Sequence, residues 1–374
     1  MESIGNQKAT EEYLSEYFAE AEAQFELLMQ LEDLDFTVRS GGSITREFEQ
    51  ALAVALRDAF DGSGRNSQHH LFLQRVLYRI NRLKFFWYDD LSNYKNERSD
   101  YLRNVQHKIE SAWAPWELSQ LALDRSTNEL DVAEALRERA REDLAPPISG
   151  EGVYFRDHMG VAGYRKLLQI ASLDALVEAS QLSRTLGGVS NEIHAMMTRL
   201  LVEEYGGGRL SRKHSTFFTH MLEELEINAV PEAHFEVVPW EVLAAINHSF
   251  LVSEQKRFYL RYVGGLLYTE ISVPAAFDSY RLAAERLGMS EKARGYWELH
   301  IREDERHGRW MLNDVALPLA DKYPANASDL VVGYDQQKFM SERAGIATAA
   351  IVKQADYAEQ ANCTHGEASF EAAA

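Results

Sequence analysis

The stretch ELHIREDERHGRWM, residues 298–311, carries two histidines and an aspartate at spacings that suit metal ligation. On an α-helix each residue advances about 100°, so with His300 at zero Asp304 falls near +40° and His307 near −20°. Ala293, Tyr296, Trp297, Met311 and Val315 fall within about 60° of that stripe on the same count. Arg302, Glu305, Arg306 and Arg309 lie opposite, with Glu303 at the border. The His/Asp/His stripe therefore takes the apolar, core-facing side, and the remaining charges form the solvated face. Unpaired buried charge is expensive, and a cation coordinated by all three side chains would relieve it. Imidazole with carboxylate suits iron, manganese or zinc, not calcium or magnesium alone. The competing reading is a hydrogen-bonded core network without metal.

Other helical segments place carboxylates or imidazoles on apolar faces. Glu270 shares its face with Tyr259, Val263, Leu266, Leu267 and Phe277. Pro274 has no N–H for the Glu270 carbonyl, so a kink or local unwinding is expected there. Glu178 lies with Leu167, Ala171, Ala175 and Leu182, and Asp174, about 40° away, is its local competitor. Glu204 lies with Ile193, Met197, Leu200 and Leu201, whereas Glu203 looks toward Arg199 and Glu192. His214 sits with Phe217, Phe218, Met221 and Leu225. Each residue alone is better read as partly exposed or as a core hydrogen bond. As a set, they give four helices with inward ligand types, the arrangement from which helical bundles build carboxylate-bridged two-metal sites. The ferritin-type Glu-x-x-His pair is absent, because ten residues and three glycines separate Glu204 from His214.

The elements that must position these residues are helical almost throughout. Helical spacing runs over 9–33, opening at Thr10, and over 45–60, with Thr45 as N-cap and Glu47 and Glu49 in the first turn. It continues over 67–94, 98–123 and 130–142. Beyond EDLAPPISGEG (142–152), where prolines and glycines break the pattern, it resumes over 159–186, 189–205, 212–228, 239–286 and 290–322. No series of alternating strands and no internal repeat is seen, so the fold class is all-α. Residues 360–374 are small and polar and read as a frayed tail.

Composition bounds the partners. The 374 residues carry a formal net charge of −19, which argues against nucleic acid or an anionic membrane surface. The single cysteine, Cys363, excludes a disulfide framework and a cysteine-based metal site. The acidic N-terminus lacks an apolar signal region, and no apolar run reaches the roughly 18–20 residues of a membrane span. The chain reads as a cytoplasmic protein.

The ligand order resembles the haem-oxygenase-like diiron oxidases and oxygenases. It runs Glu178, Glu204 with His214, Glu270, then HIREDERH with His300, Asp304 and His307. The closest match is the central helical domain of the nitrosourea-forming N-oxygenases, over roughly residues 150–325. The resemblance implies a haem-oxygenase-like bundle binding two iron ions, with O2 as cosubstrate and an external electron donor, since no flavin or nicotinamide fingerprint is visible. It implies N-oxygenation of a small amine or guanidine-like substrate, by N-hydroxylation and onward to nitroso or nitro products. A 2-aminoimidazole-type compound is one example. His300, additional to the six-ligand, olefin-forming members, favours that branch. Residues 1–145 correspond to a helical region associated with homodimerisation, and 326–374 form a C-terminal segment. The cupin domain of the nitrosourea enzymes has no counterpart here, so N–N bond formation is not carried over. The alternatives are a diiron desaturase or C–C-cleaving oxidase of an amino acid or fatty acid, and a non-catalytic iron-binding helical protein. Tyr268, Tyr296 and Arg309 are candidates for the pocket, although tyrosines in such stripes more often pack in the core and Arg309 faces outward.

Overall fold

The computed structural model describes residues 2–41, 43–61, 67–121, 131–189 and 191–371, and no strand occurs among them. The helices fall into two compact units, Met1–Ala122 with Ile246–Leu251, and Leu123–Ala245 with Val252–Ala374. None of the described helices is long and apolar enough to cross a membrane. The Pro/Gly stretch 142–152 falls inside the second unit, where one helix gives way to the next.

The first unit contains α1 (Glu2–Met29), α2 (Leu34–Arg39), α3 (Arg46–Asp58), α4 (Ser67–Asn81) and α5 (Asp100–Ser119). Thr10 lies inside α1 rather than capping it, and Thr45 stands at the N-cap of α3 without a side-chain capping hydrogen bond. The helix expected over 67–94 ends sooner, because Phe85 is extended and Trp87 folds back to donate its indole N–H to the Tyr78 hydroxyl. Phe18 stacks on Phe72 and Phe25 on Phe48, joining α1, α3 and α4. The buried amide Asn247 is satisfied by Asn81 and Gln74, each at 2.9 Å.

The second unit contains α6 (Val132–Leu144), α7 (Gly150–Asp157), α8 (Val161–Ala175), α9 (Glu192–Glu204), α10 (His214–Glu224), the two ends of α11 (Trp240–Glu254, whose Ile246–Leu251 belong to the first unit), α12 (Tyr259–Arg286), α13 (Glu291–Trp310), α14 (Leu317–Lys322) and α15 (Ser328–Glu371). A six-residue π-helical segment, Met311–Ala316, joins α13 to α14. The segment expected as one helix over 239–286 breaks at Gln255, which is extended. The 360–374 tail continues α15 to Glu371, and its last three residues lie outside the described part. Pro274 does not break α12.

Two apolar clusters build this unit, and α12 and α13 thread both. One gathers Tyr262, Val263, Leu267 and Ile271 of α12 with Leu200 of α9 and Met311 and Val315 beyond α13. The other gathers Ala283 and Ala284 of α12 with Tyr296 and Trp297 of α13, Phe218 of α10 and Leu167 of α8. Glu270 and His300–His307 fall where the two clusters meet. The α12–α15 crossing is set by glycines. A Cβ on Gly264 would lie 2.0 Å from the Leu330 carbonyl oxygen, and one on Gly333 would lie 2.1 Å from that of Arg261. Only glycine permits backbones this close, and that contact anchors α12, which carries Glu270.

Candidate metal centre

Each candidate is held by a different local device. Glu178 is not on a helix as its periodicity suggested. α8 stops at Ala175, and Glu178 stands in the following turn, beside Ala179 at φ 59°. A left-handed alanine cannot continue a right-handed helix, so the chain turns there. Glu204 is the last residue of α9 and His214 the first of α10. The glycine loop between them doubles back, since a Cβ on Gly206 (φ +62°) would lie 2.4 Å from the Arg212 carbonyl carbon. That reversal brings Glu204 Oε2 to 2.9 Å from His214 Nδ1. Glu270 comes from mid-α12, and His300, Asp304 and His307 from the buried stripe of α13.

These side chains converge in two groups. In the first, His300 Nε2 lies 3.2 Å from His214 Nδ1 and 3.6 Å from Glu178 Oε2, with Glu204 as the fourth member. In the second, His307 Nδ1 faces Glu270 Oε2 at 3.3 Å and Glu204 Oε1 at 3.5 Å. Glu204 belongs to both and offers one oxygen to each. Asp304 stands outside both close groups, with its Oδ1 3.5 Å from His307 Nδ1. A third acidic cluster, Glu203 and Glu303 with His307, is filled by the Arg306 guanidinium, which bonds both carboxylates.

The unsatisfied atoms show what the centre lacks. Glu178 Oε1, Asp304 Oδ1 and His307 Nδ1 are buried and have no hydrogen-bond partner among the described residues. Three oxygens surround His307 Nδ1, yet none is aligned to accept from it. Orphaned buried polar atoms are rare and costly, and cations among them would satisfy all three. The nitrogen and oxygen donor set suits iron. The other ring nitrogens are already committed. His300 Nδ1 lies 2.9 Å from the Tyr296 carbonyl, which assigns it the proton and leaves Nε2 with a lone pair facing His214. His307 Nε2 lies 3.1 Å from Glu203 Oε2, leaving Nδ1 inward.

Electrostatics say the same. Burial holds Glu178, Asp304 and Glu270 protonated above the ordinary carboxylate range, with neighbouring carboxylates adding to it. Burial also raises Glu204, but its hydrogen bond to His214 and the surrounding imidazoles bring it below its ordinary value. His300 is pushed down to about 4 by burial. For His307 burial works downward, but Asp304 and Glu270 outweigh it and lift the ring to about 11. Without metal the centre stores protons that a divalent cation would displace.

Two supporting residues were not assigned from the sequence. Glu203 bonds Arg199 at 3.3 Å, as its face suggested, but also Arg306 at 2.6 Å and His307. Arg306 is therefore half-buried instead of fully solvated. Tyr296, a pocket candidate, donates its phenol O–H to Glu178 Oε2 at 2.5 Å. The available signals were the adjacent Glu203–Glu204 pair and the position of Tyr296 one turn before His300. Tyr268 packs edge-on against Tyr334, and Arg309 is exposed and pairs with Glu305.

Residues 165–336 match the family described as iron-containing redox enzyme, of haem-oxygenase-like type. This segment is a haem-oxygenase-like iron redox domain. It contains all seven candidate residues, and its all-α bundle agrees with that family. A relative is the nitrosourea synthase of Streptomyces achromogenes subsp. streptozoticus, 27% identical over 178 residues, which is 47% of this chain and 37% of that protein. The chain thus spans well under half the length of the curated relative it matches. The haem-oxygenase-like domain is that of an iron-containing oxidoreductase.

Proposed function

We propose that the domain is an O2-dependent diiron N-oxygenase acting on a small amine or guanidine-like substrate, with N-hydroxylation as its basic step. A 2-aminoimidazole-type compound is one candidate substrate. The observation that carries this reading is the pair of ligand groups joined through the two oxygens of Glu204, with unsatisfied donors on both sides. The nitrosourea-forming activity named for the relative supports oxidation at nitrogen. When bound, two iron ions would supply O2 activation.

The chain's own residues hold that chemistry in place. Glu178, His214 and His300 would hold one ion, Glu270, Asp304 and His307 the other, and Glu204 both. Tyr296 keeps one Glu178 oxygen occupied by its phenol proton, which fixes how that carboxylate turns. Glu203 and the Tyr296 carbonyl take up the outer ring nitrogens of the two α13 imidazoles, so that their inner nitrogens would face the ions. The apolar clusters on either side exclude water. Hydroxylating an amine consumes O2, two electrons and two protons and yields the hydroxylamine and water. A separate electron donor is therefore required.

Anaerobic Fe(II) titration with iron analysis tests the metal reading. Two irons per chain are expected; well under one sinks it. A mass-spectrometric screen of amines, guanidines and amino acids with Fe(II), O2 and a reductant then tests the reaction. Added oxygen on nitrogen supports it, while loss of two hydrogens or a cleaved fragment replaces it with desaturation or C–C cleavage.

A further inference from the structure

The loop that joins Glu204 to His214 holds no acidic residue and carries Arg209, Arg212 and Lys213. On a chain of formal net charge −19 this is a local inversion of sign, and no Asp or Glu follows until Glu223. Arg209 and Arg212 are exposed, and neither they nor Lys213 has an ion-pair partner among the described residues. Lys213 stands over the Tyr205 ring, 4.6 Å from its centroid. The nearest carboxylates along the chain are engaged elsewhere: Glu204 with His214, and Glu203 with Arg199 and Arg306. Unbalanced positive charge therefore stays at this surface.

The same stretch exposes apolar side chains on a fixed backbone. Leu210 is 77% exposed, although its carbonyl accepts from the Thr216 hydroxyl at 2.7 Å and from the Lys213 N–H at 3.1 Å. Val202, 49% exposed, and Tyr205 lie one turn apart at the end of α9 and share a face. Gly206, Gly207 and Gly208 all have positive φ, a run that only glycine sustains, and the loop closes on itself where Gly206 meets Arg212. A loop pinned in this way has little freedom left to lose when it docks. Exposed apolar side chains among unpaired cations fit an acidic protein with an apolar spot of its own.

Position decides which acidic protein. Tyr205 and Lys213 are the chain neighbours of Glu204 and His214, so this surface lies one residue from His214 and from the carboxylate that faces both ligand groups. Electron transfer falls off steeply with distance, and the proposed hydroxylation needs two electrons from a separate donor. We propose that residues 205–213 are the docking face for a small acidic protein that carries one electron at a time. This rests on the oxygenase reading and gives its electron donor a chemical class and a place. Two successive encounters deliver the two electrons, two reduced carriers leave oxidised, and the two protons come from solvent. Encounters of this kind bury little surface, under about 1,200 Å², so one loop and a helix end suffice.

The test measures binding of oxidised plant-type [2Fe–2S] ferredoxin, an acidic one-electron carrier, to the full chain by calorimetry, with and without iron. R209E/R212E should weaken binding at least roughly tenfold, because the reversed charges repel the partner. R98E/R103E makes the same charge change in the first unit, on arginines 93% and 68% exposed, and should leave binding as in the wild type. Wild-type binding should also weaken as salt rises. With iron bound, stopped-flow reduction by reduced ferredoxin at limiting concentration should slow by the same factor in R209E/R212E. R209Q/R212Q gives the same comparison should the charge reversal not fold. No binding by the wild type, or an equal loss in both double variants, overturns the proposal. So does binding of phosphatidylglycerol vesicles that R209E/R212E abolishes while ferredoxin binding persists, which assigns the loop to a membrane. Loop-dependent ferredoxin binding by a chain that takes up no iron keeps the docking face and sinks the diiron reading. Two irons bound without loop-dependent binding do the reverse.

Discussion

Replacing Gly308 by alanine should weaken metal binding at one half of the centre while leaving the metal-free chain nearly as stable. An added Cβ would lie 3.0 Å from Ile271 Cδ1 and 3.1 Å from the Glu270 carbonyl oxygen. The isoleucine tip can swing aside. The carbonyl is helix backbone and cannot swing as a side chain does. Relief therefore requires α12 and α13 to separate by a few tenths of an ångström. Those helices carry Glu270 and His307, whose facing atoms are 3.3 Å apart. Metal–ligand lengths tolerate only about ±0.2 Å, so the shift is as large as the tolerance. The affinity of the Glu204/Glu270/His307 half should fall roughly tenfold or more, as for lost supporting contacts. For stability, overpacking costs about 1–3 kcal/mol and the gain in helix propensity offsets about 1 kcal/mol. G295A is the control on the same helix, since its Cβ would meet only the Phe217 ring edge at 3.3 Å, which can tilt. Anaerobic Fe(II) titration by calorimetry, with thermal melts of the metal-free proteins, measures both quantities. If G308A binds both metals with wild-type affinity, the α12–α13 spacing does not govern the centre and the reasoning fails.

The metal-free protein should lose stability as pH rises above about 6.5. Glu178, Glu270 and Asp304 have folded-state pKa values raised above their ordinary ones, and His307 is raised from 6.5 to about 11, so the folded chain binds more protons than the unfolded one. Stability from such groups is fully present below the unfolded pKa and is lost as pH climbs toward the folded one, by about 1.4 kcal/mol per pH unit for each excess proton. His300, lowered to about 4, and Glu204, also lowered, act with the opposite sign, but only below 6.5. Urea melts from pH 6.5 to 9 should therefore fall without metal and stay flatter with it; a flat or rising metal-free profile contradicts the assignment. Separately, E203A removes the acceptor at His307 Nε2 and should cost roughly 10- to 100-fold in metal affinity at that half. E203Q keeps an acceptor oxygen and should lose less; unchanged affinity in E203A would remove Glu203 from any positioning role.

Much of the site was legible along the chain, because helical geometry assigns each residue a direction. His300, Asp304 and His307 share one face through their spacing alone, and all three are buried. The same count placed Glu270 and Glu204 inward, and both are buried. The limits are physical. Periodicity assumes that a helix continues, and nothing in apolar spacing announces the left-handed Ala179 that puts Glu178 in a turn. Pro274 predicted a kink or local unwinding in α12 from local backbone chemistry, and the helix runs on through it.

By itself the sequence determined the all-α class, the inward stripe and the absence of cysteine ligands, all of which depend on residue type and on spacings within one segment. Only the tertiary structure decided that the two oxygens of Glu204 face different partners and that Glu203 turns to His307. Those outcomes depend on distances between helices far apart along the chain. Backbone contacts such as Gly264 on Leu330 and Gly308 on Glu270 set those distances, and no periodicity records them.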